Sequence, residues 1–341
     1  MATNTLFKTT VLILILFSVN NCRLQGRADI QVINKSSDPD TAISPFITQP
    51  SDTFLYLKKM MQLANGDRSG LWPARAAYPG EGAIFPYKRV VAYYGNFYST
   101  QMGVLGQYPP QQMLEKLKKE VKAWEMADSL TPVMPAIHYI AVTAQPCKQF
   151  VGKCRLRMPE QQIDKSIALA RQLNGIVFLD IQVGQSTLQE EIPLLKKYLQ
   201  MPQVHLGIDP EFSMKQGQRP GTAIGTFDAA DVNYAVEFLA ALVKQFNLPP
   251  KILVVHRFTN PMLTNYKQIK TCKEVQLVIN MDGFGFPAKK KNTYYHCIYK
   301  EPVQFAGFKL FYRNDTESAK QLMQPADILQ LKPRPIYIQY Q

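Results

Sequence analysis

The sequence predicts a single (β/α)8 barrel (TIM barrel), preceded by an export signal and a polar tether. Eight short runs of apolar, β-branched or aromatic residues recur between residue 90 and the end of the chain. Longer amphipathic stretches separate most of these runs, and a near-continuously apolar run is typical of a strand buried in a parallel sheet. The chain has 341 residues, 46% of them hydrophobic, which suffices for a barrel core of this size.

Residues 1–21 have the pattern of a signal peptide. Lys8 supplies a positive charge, and the apolar run that follows over residues 11–17 is too short to span a bilayer as a mature helix. The run leads to Cys22 through a loose form of the bacterial lipoprotein box, so we predict that Cys22 is lipidated. The protein is then an exported, membrane-anchored lipoprotein of the bacterial cell envelope. Cleavage of an ordinary secretory peptide near the same place is the alternative.

Residues 22–50 are polar and predict a flexible tether, and the barrel domain occupies residues 51–341. The first element of this domain is a helix over 53–65 with an apolar face. We expect this helix to cover the gap at the chain end, where no eighth helix follows the last strand. No later segment has the roughly 18 uninterrupted apolar residues that a membrane span requires.

Hydrophobic periodicity places the strands and helices. The predicted strands are 90–95, 133–141, 176–183, 204–209, 252–258, 275–282, 305–312 and 336–340. The predicted helices between them include 111–127, 159–173, 187–199 and 228–246, and the first shows the three- and four-residue spacing of one buried face. An open doubly wound sheet is the alternative fold. Because the segment Gly283-Phe284-Gly285-Phe286 lacks the third glycine of a dinucleotide-binding turn, we expect no cofactor.

Four cysteines remain when Cys22 is set aside. An even number in an exported chain favours disulfides. We predict that Cys147 pairs with Cys154, which closes a small loop, and that Cys272 pairs with Cys297. Neither pair has the Cys-x-x-Cys spacing of a zinc knuckle.

The formal net charge is +13, from 39 Lys and Arg against 26 Asp and Glu. Apart from Lys289-Lys290-Lys291 the basic residues are dispersed, so no nucleic-acid partner is expected. The 18 Phe and 17 Tyr residues suit carbohydrate stacking and equally a large barrel core. We expect a monomer with a polysaccharide or glycan ligand and, through the lipid anchor, a membrane as its partners.

Polar residues concentrate at the predicted C-terminal ends of the strands, where barrels of this class place their active sites. The third, fourth and sixth predicted strands each end with two polar residues two positions apart: Asp180 and Gln182, Asp209 and Glu211, and Asn280 and Asp282. Residues two apart on a strand face the same side, so each pair is expected to point together. Carboxylates gathered inside the barrel would have raised pKa values, because burial and like charges both oppose ionisation.

The motif Asp209-Pro210-Glu211 is the most informative of these. An Asp-x-Glu at a barrel strand end resembles the arrangement of several glycosidase families, which implies Glu211 as general acid and Asp209 as its assistant. Pro210 is expected to end the strand. Asp180, on the preceding strand, is the next candidate for catalysis. The alternative is that Asp209 and Glu211 form only structural hydrogen bonds or salt bridges, with Lys309, Arg257 or Arg313 as partners.

Other strand-end residues are candidates for substrate binding: His256, Asp282, Gln182, Tyr94 and Asn280. A strand-end histidine such as His256 is suited to bind a sugar hydroxyl or orient a carboxylate, and a structural role is equally expected. Several aromatic residues are suited to stack on sugars or to pack under loops: Tyr93, Tyr94, Phe97, Phe284 and Phe286. The histidines are scattered singly along the sequence, so no metal site is expected. The sequence also contains no Gly-x-Ser-x-Gly nucleophile elbow.

The chain resembles an uncharacterised family of bacterial exported proteins and lipoproteins. The matching segments are 178–184, 207–212, 224–225, 229–233, 248–258 and 282–285. The resemblance implies an exported barrel of glycosidase-like type but no established activity, and Phe212 and Arg257 stand where relatives often carry Trp and Gln. The first strand and the Asp-x-Glu also resemble chitinase-like barrels. The fuller Asp-x-x-Asp-x-Asp-x-Glu pattern of those enzymes is absent, so substrate-assisted chitinolysis is not predicted.

Three functions stay open at this point. The first is a carbohydrate-active hydrolase with Glu211 as general acid and Asp180 or Asp209 as nucleophile, base or stabiliser. The second is a non-catalytic glycan-binding or envelope lipoprotein that uses the barrel mouth for docking. The third is a phosphodiester-cleaving barrel, which requires paired histidines or a metal cage that the sequence does not indicate.

Overall fold

The chain folds into a closed barrel of eight parallel strands, which confirms the predicted fold class. The computed structural model describes residues 53–147, 152–317 and 319–341, so the predicted signal peptide, Cys22 and the tether lie outside the described residues. Around the barrel the strands follow in chain order: β1 Arg89–Gly95, β2 Val133–Ala144, β3 Ile176–Ile181, β4 Val204–Ile208, β5 Lys251–Arg257, β6 Val275–Met281, β7 Phe305–Leu310 and β8 Tyr337–Tyr340. Parallel pairing of β8 with β1 closes the cylinder.

Burial on both faces explains why the strands read as continuous apolar runs. Every residue of seven strands is buried, and β2 is partly exposed only near its two ends. One face of each strand lines the barrel interior and the other lies under the surrounding layer. At its C-terminal end β2 runs past the predicted boundary to Ala144, where the short strand Arg155–Arg157 pairs with it in antiparallel fashion.

Helices connect most of the strands. In chain order they are α1 Thr53–Ala64, α2 Val104–Gln107, α3 Pro110–Ala127, α4 Glu160–Arg171, α5 Leu188–Glu191, α6 Lys196–Leu199, α7 Ala229–Phe246, α8 Pro287–Tyr294 and α9 Pro325–Ile328. Capping fixes where α7 begins, since Asp228 accepts a bond from the Ala230 N–H and Asp231 accepts one from the Asp228 N–H. None of the helices in the described residues is long and apolar enough for a bilayer crossing.

Two connections differ from the predicted pattern. The predicted helix over 187–199 is broken into α5 and α6 by a 3₁₀ turn, Ile192–Leu195, in which Pro193 lacks the N–H that a continuous helix needs. The connection from β5 to β6 is described throughout and contains no α-helix. It has two 3₁₀ turns, Asn260–Met262 and Tyr266–Gln268, and a strand Leu263–Thr264 that pairs with Phe227–Asp228.

The first helix lies at the N-terminal end of the barrel and not beside β8, where we expected it. Tyr56 and Met60 of α1 belong to the same buried cluster as the inward-facing side chains Val90 and Ile252. The outer face of β8 is covered by α3 instead, whose Trp124 Nε1 donates a hydrogen bond to the Tyr340 hydroxyl at 2.9 Å. The helix α3 therefore takes the place that we expected for α1, and α9 packs against α3.

The barrel interior changes character along its axis. Its N-terminal half is filled by an apolar cluster that includes Ala92, Phe178, Val254 and Val278. Residues that follow on the same inward face toward the C-terminal ends are polar or ionisable. The interior therefore provides a packed floor below a polar layer at the end where such barrels carry their sites.

The disulfide prediction is confirmed for one pair and wrong for the other. Cys147 and Cys154 are bonded, with their α-carbons 4.9 Å apart. Cys272 and Cys297 are both free thiols. Cys272 precedes the start of β6, whereas Cys297 contacts Arg257 and Asn260 beyond the C-terminal end of β5. The two thiols thus lie at opposite ends of adjacent parallel strands.

Candidate functional site

Seven of the eight strands direct a polar side chain into the C-terminal half of the barrel. The residues, from β1 to β8 with β4 omitted, are Tyr94, His138, Asp180, His256, Asn280, Lys309 and Gln339. All of them are buried. On each strand they lie two or four positions after an inward-facing apolar residue of the inner cluster. Because residues two apart on a strand face the same side, these polar side chains also point into the barrel.

Asp180 lies at the centre of this layer and is fully shielded from solvent. Its Oδ2 accepts a hydrogen bond from the Tyr94 hydroxyl at 2.9 Å. Its Oδ1 is 3.2 Å from Nε2 of His138 and 3.4 Å from Nε2 of His256. Four strands, β1, β2, β3 and β5, therefore meet at one carboxylate.

His256, Asp282 and Lys309 form a chain of contacts that leads away from Asp180. His256 Nδ1 is 2.8 Å from Asp282 Oδ2, and the Lys309 ammonium is 2.9 Å from Asp282 Oδ1. Lys309 Nζ also lies 3.9 Å from the centre of the Tyr94 ring, a cation–π distance. Positive and negative groups thus alternate along this series of contacts. Lys309 also packs against the face of the Tyr94 ring.

His138 is held on its other side by two residues of β8. Its Nδ1 is 2.6 Å from the Tyr337 hydroxyl, and Gln339 Nε2 donates to that hydroxyl at 2.9 Å. The ring also stacks on Phe178, with the planes 9° apart. These contacts fix the ring so that Nε2 points toward Asp180.

Glycine at position 207 of β4 makes room for this arrangement. A β-carbon there would lie 2.3 Å from Asp180 Oδ1 and 2.4 Å from His138 Nε2, well inside the contact limit. Gly307 of β7 gives similar room, because a β-carbon would lie 2.6 Å from the Asn280 Oδ1 atom. β4 therefore contributes only space to the polar layer, whereas β7 contributes both the space at Gly307 and the side chain of Lys309.

The charges in the network follow from its contacts. Burial alone would raise the pKa of the Asp180 carboxyl, but the His256 cation and the contacts with His138 together outweigh burial and hold that pKa below its usual range. Burial alone would lower the pKa of His256, but Asp180 and Asp282 raise it to about 10. Burial lowers the pKa of His138 to about 4, so this ring is neutral at pH 7.

Asp209 and Glu211 follow β4, but they do not both lie on the strand. β4 ends at Ile208, and Pro210–Phe212 forms a 3₁₀ turn in which the Glu211 N–H donates to Asp209 Oδ1 at 3.0 Å. Pro210 ends the strand as predicted, whereas the shared face inferred from strand alternation is wrong for this pair. Asp209 is buried beside the polar layer and Glu211 is partly exposed at its edge.

Both of these carboxyls have raised pKa values. Burial raises the pKa of Glu211 to about 8, and the charges of Asp209 and Asp282 add to the shift. Burial likewise raises the pKa of Asp209 to about 7, with further contributions from Asp180 and Asp282. At neutral pH, Glu211 therefore retains its proton, and Asp209 is close to half ionised.

Gln182 joins the Asp209 carboxyl to the central network. Its Nε2 is 3.4 Å from the Tyr94 hydroxyl and 3.5 Å from Asp209 Oδ2, while its Oε1 accepts from the Ala144 N–H. Asn280 lies deeper, and neither of its side-chain polar atoms has a hydrogen-bond partner within the described residues. The structure thus brings every predicted catalytic and substrate-binding residue to one end of the barrel.

The salt bridges suggested as an alternative for Asp209 and Glu211 are not formed in the described part of the chain. Lys309 pairs with Asp282, Arg257 pairs with Glu301, and Arg313 pairs with Glu317 at 3.1 Å. Arg257 lies outside the barrel interior, since its guanidinium also donates to carbonyls such as that of Cys297. The two carboxyls are therefore free of a directly paired cation.

Aromatic residues divide into packed and exposed groups. Tyr93 packs against Tyr312, and Phe97 stacks on Tyr139 at 4.8 Å, so both serve the outer layer. Exposed rings stand instead on the loops after β1 and β6, at the site end of the barrel: Tyr98, Phe284 and Phe286, with exposed fractions of 54%, 48% and 46%. These three rings leave aromatic surface exposed near the C-terminal ends of the strands.

Sequence reasoning missed the meeting of His138 and His256. The two residues are far apart in the chain, and their separation led to the expectation that the histidines stay single. In the structure their Nε2 atoms and Asp180 Oδ1 all lie within 4.8 Å of one another. Strand alternation could have indicated this, because His138 lies two residues after Ala136 on β2 and therefore also points into the barrel.

Fold and site together define a (β/α)8 barrel with a buried ionisable network at the C-terminal ends of its strands. No protein-family model matches the chain, and no curated protein matches its sequence. The resemblance to exported bacterial proteins therefore stays a prediction.

Two solved structures are similar in fold. One is a ruminal GH26 endo-beta-1,4-mannanase, with 10% identity and a TM-score of 0.36 over 89% of this chain and 66% of that one. The other is a Burkholderia cenocepacia dihydropteroate synthase complexed with 7,8-dihydropteroate, with 10% identity and a TM-score of 0.33 over 78% and 92% of the two chains. This chain spans just under two thirds of the length of the mannanase, and at these scores we infer neither activity nor substrate from either structure.

Proposed function

We propose that this barrel is a carbohydrate-active hydrolase that cleaves glycosidic bonds, with Glu211 as general acid and Asp209 as the partner carboxylate. The observation that carries the proposal is the pair of cation-free carboxyls at the barrel mouth, with pKa values raised to about 8 and about 7. Glycoside hydrolysis uses two carboxyl groups, one that gives a proton and one that is ionised. This pair meets that requirement near neutral pH.

Glu211 is suited to the acid role because it is both protonated and accessible. Its raised pKa keeps the proton on the carboxyl at pH 7, and its partial exposure lets a ligand reach it without moving the barrel. In the proposed reaction its proton goes to the leaving oxygen as the bond between the anomeric carbon and that oxygen breaks. Water supplies the oxygen that replaces it on the sugar.

Asp209 is suited to act in its ionised form. One oxygen accepts the Glu211 N–H, which fixes the carboxyl relative to the acid, and the other faces Gln182. A pKa of about 7 leaves a substantial ionised fraction at neutral pH. The ionised carboxyl then takes the proton of the attacking water or stabilises the positive charge that develops on the sugar.

Asp180 is better suited to positioning than to reaction. It is fully enclosed and is held by Tyr94 and the two imidazoles, so no substrate atom approaches it in this conformation. Its charge raises the pKa of Asp209, which links the interior network to the mouth. We therefore assign the partner role to Asp209, of the two residues that the sequence left open.

A glycan is the substrate class that the mouth supports. The exposed rings of Tyr98, Phe284 and Phe286 offer apolar faces, and the hydrogen-bonding groups of Gln182 and Glu211 offer polar contacts. Sugars present both kinds of surface, and aromatic side chains bury apolar area at small entropic cost. We propose a cell-envelope or environmental polysaccharide, reached by an exported protein that a lipid on Cys22 holds at the membrane.

Hydrolysis of a polysaccharide panel by the purified barrel tests the proposal. Wild-type protein is expected to release reducing sugar from at least one substrate, and Glu211→Gln is expected to lose about 10²–10⁴-fold in rate. The matched control is Glu237→Gln, which makes the same change on an exposed residue of α7 and should keep full rate. Equal rates for wild type and Glu211→Gln, with folding verified by circular dichroism, would exclude the assignment.

One observation favours a second candidate, a phosphodiester-cleaving barrel. His138 and His256 meet at Asp180, which gives the paired histidines that this reaction class requires. Cleavage of bis(p-nitrophenyl) phosphate that depends on an added divalent metal and is lost in His256→Gln would favour this candidate. Sugar release that chelation leaves unchanged favours the hydrolase.

A further inference from the structure

Three ligand atoms of different strands converge inside the barrel. They are Nε2 of His138 on β2, Oδ1 of Asp180 on β3 and Nε2 of His256 on β5, and all lie within 4.8 Å of one another. Each of the three side chains is completely buried. We propose that these atoms bind one divalent transition-metal ion of the zinc type.

The separations suit a shared ion. Imidazole nitrogen and carboxylate oxygen bind zinc at about 2.0–2.2 Å, so neighbouring ligand atoms around one ion stand about 3.0–3.4 Å apart in octahedral or tetrahedral geometry. Asp180 Oδ1 is 3.2 Å from the His138 nitrogen and 3.4 Å from the His256 nitrogen. The two histidine nitrogens lie within 4.8 Å of each other, so side-chain shifts that draw the rings closer bring all three atoms to one ion.

The three atoms have no other partner. Within the described residues, His138 Nε2, Asp180 Oδ1 and His256 Nε2 each lack a hydrogen bond of acceptable geometry, although they lie close together. Buried polar atoms are nearly always hydrogen-bonded, so three unpartnered atoms that face one point indicate a missing occupant. Two kinds of occupant satisfy such a group: an ion that all three bind, and an ordered water molecule.

The contacts of the second nitrogen, Nδ1, of each ring favour an ion over a water molecule. His256 Nδ1 is 2.8 Å from the Asp282 carboxylate, and His138 Nδ1 is 2.6 Å from the Tyr337 hydroxyl. A metal-binding histidine typically has its second nitrogen held by a carboxylate or another polar group, which fixes the ring and leaves one nitrogen for the metal. Both rings here have that arrangement, and an ion that binds His256 displaces the Nε2 proton that this ring carries without metal.

The donor set defines the class of ion. Two imidazoles and one carboxylate suit zinc and the other late divalent transition metals, whereas magnesium and calcium prefer oxygen ligands. The ion would connect β2, β3 and β5 below the Asp209–Glu211 pair. The proposal does not depend on the proposed hydrolase, since binding is measured without any substrate.

Titration of chelator-treated protein with Zn²⁺, followed by calorimetry, tests the site. We expect one ion per chain for wild type and a loss of affinity of at least about 100-fold for His138→Gln and for His256→Gln. The matched control is His296→Gln, because His296 is an exposed histidine outside the cluster and its replacement should leave binding unchanged. Loss of binding in His296→Gln with retention in His256→Gln would show an adventitious surface site and overturn the proposal.

Measurements on the unmodified chain cover the case in which a variant does not fold. Replacement of zinc by Co²⁺ should give visible absorption bands, and X-ray absorption at the zinc edge should show two imidazoles and one carboxylate oxygen bound to the ion. An ion with a different ligand set overturns the proposal. So does the absence of any tight binding.

Discussion

Nδ1 of His256 lies 2.8 Å from Oδ2 of Asp282, deep in the barrel, and the second Asp282 oxygen faces the Lys309 ammonium at 2.9 Å. Asp282 thus stands between two cations, and the Lys309 cation, with His256, holds the pKa of Asp282 below its usual range against the effect of burial. Three strand ends are joined by this carboxylate, which is why its removal should affect the whole polar layer.

Asp282→Asn should destabilise the fold by about 3–5 kcal/mol, because it leaves the buried Lys309 without its charged partner. Urea denaturation measures the change. Asp164→Asn, at an exposed position of α4, makes the same chemical change outside the network and should shift stability by less than about 0.5 kcal/mol. Equal stabilities of the two variants would mean that the buried pair contributes nothing.

Gly207→Ala should destabilise the barrel by about 1–3 kcal/mol, since its β-carbon would lie 2.3 Å from Asp180 Oδ1 and 2.4 Å from His138 Nε2. Thermal unfolding gives the comparison. Gly80→Ala is the control, because the nearest atoms to a β-carbon there are at an ordinary 3.4 Å. If Gly207→Ala were as stable as this control, the packing assigned to the inner layer would be incorrect.

The rate of glycoside cleavage should follow a bell-shaped pH profile. Activity needs Asp209 ionised, so kcat/KM should rise as pH increases through about 7, and it needs Glu211 protonated, so it should fall above about 8. Because the two carboxyls interact, the limbs report the pair and not the separate residues. A rate that keeps rising to pH 10 would contradict the acid role of Glu211.

Stability should also depend on pH through Glu211, independently of any activity. Its folded-state pKa of about 8 exceeds the ordinary value of 4.5, so the folded state keeps a proton that the unfolded state loses. The contribution is therefore fully present below pH 4.5 and is lost as pH rises through about 8. Relative to wild type, Glu211→Gln should gain stability between pH 5 and pH 9 in urea denaturation, and a constant difference would contradict the raised pKa.

Peptide mapping without reduction should find the Cys147–Cys154 bond and should find Cys272 and Cys297 as alkylated thiols. Replacing Cys147 and Cys154 by serine should cost about 2–3 kcal/mol, the loop entropy expected for so short a loop. A Cys272–Cys297 bond in the map would contradict the placement of these residues at opposite ends of the strands.

The fold was largely predictable because burial on both faces makes each strand a continuous apolar run. Strand alternation also placed Asp180 correctly, since its neighbours Phe178 and Ile176 fix the inward parity of β3. The Asp209–Glu211 geometry was not predictable from that rule, because Pro210 turns the chain into a 3₁₀ turn immediately after β4. Local backbone conformation decided the direction of Glu211.

Contacts between residues of distant strands could not be predicted from local sequence patterns. His138 and His256 meet because β2 and β5 face each other across the interior, and no local pattern records that distance. The predicted disulfide between Cys272 and Cys297 was wrong for the same reason, because the number of residues between two cysteines does not show at which end of the barrel each one lies. Both the contact of the two histidines and the separation of the two cysteines follow from how the strands are arranged in the closed barrel.

The acid role of Glu211 is tested by comparing Glu211→Gln with wild type on two substrates that differ in their leaving group. The 2,4-dinitrophenolate of an activated glycoside leaves without being protonated. The leaving sugar of an unactivated oligosaccharide needs a proton from the general acid. If Glu211 is the general acid, Glu211→Gln should lose about 10²–10⁴-fold in rate on the oligosaccharide and far less on the activated glycoside. Equal losses on both substrates, or no loss on either, would contradict it.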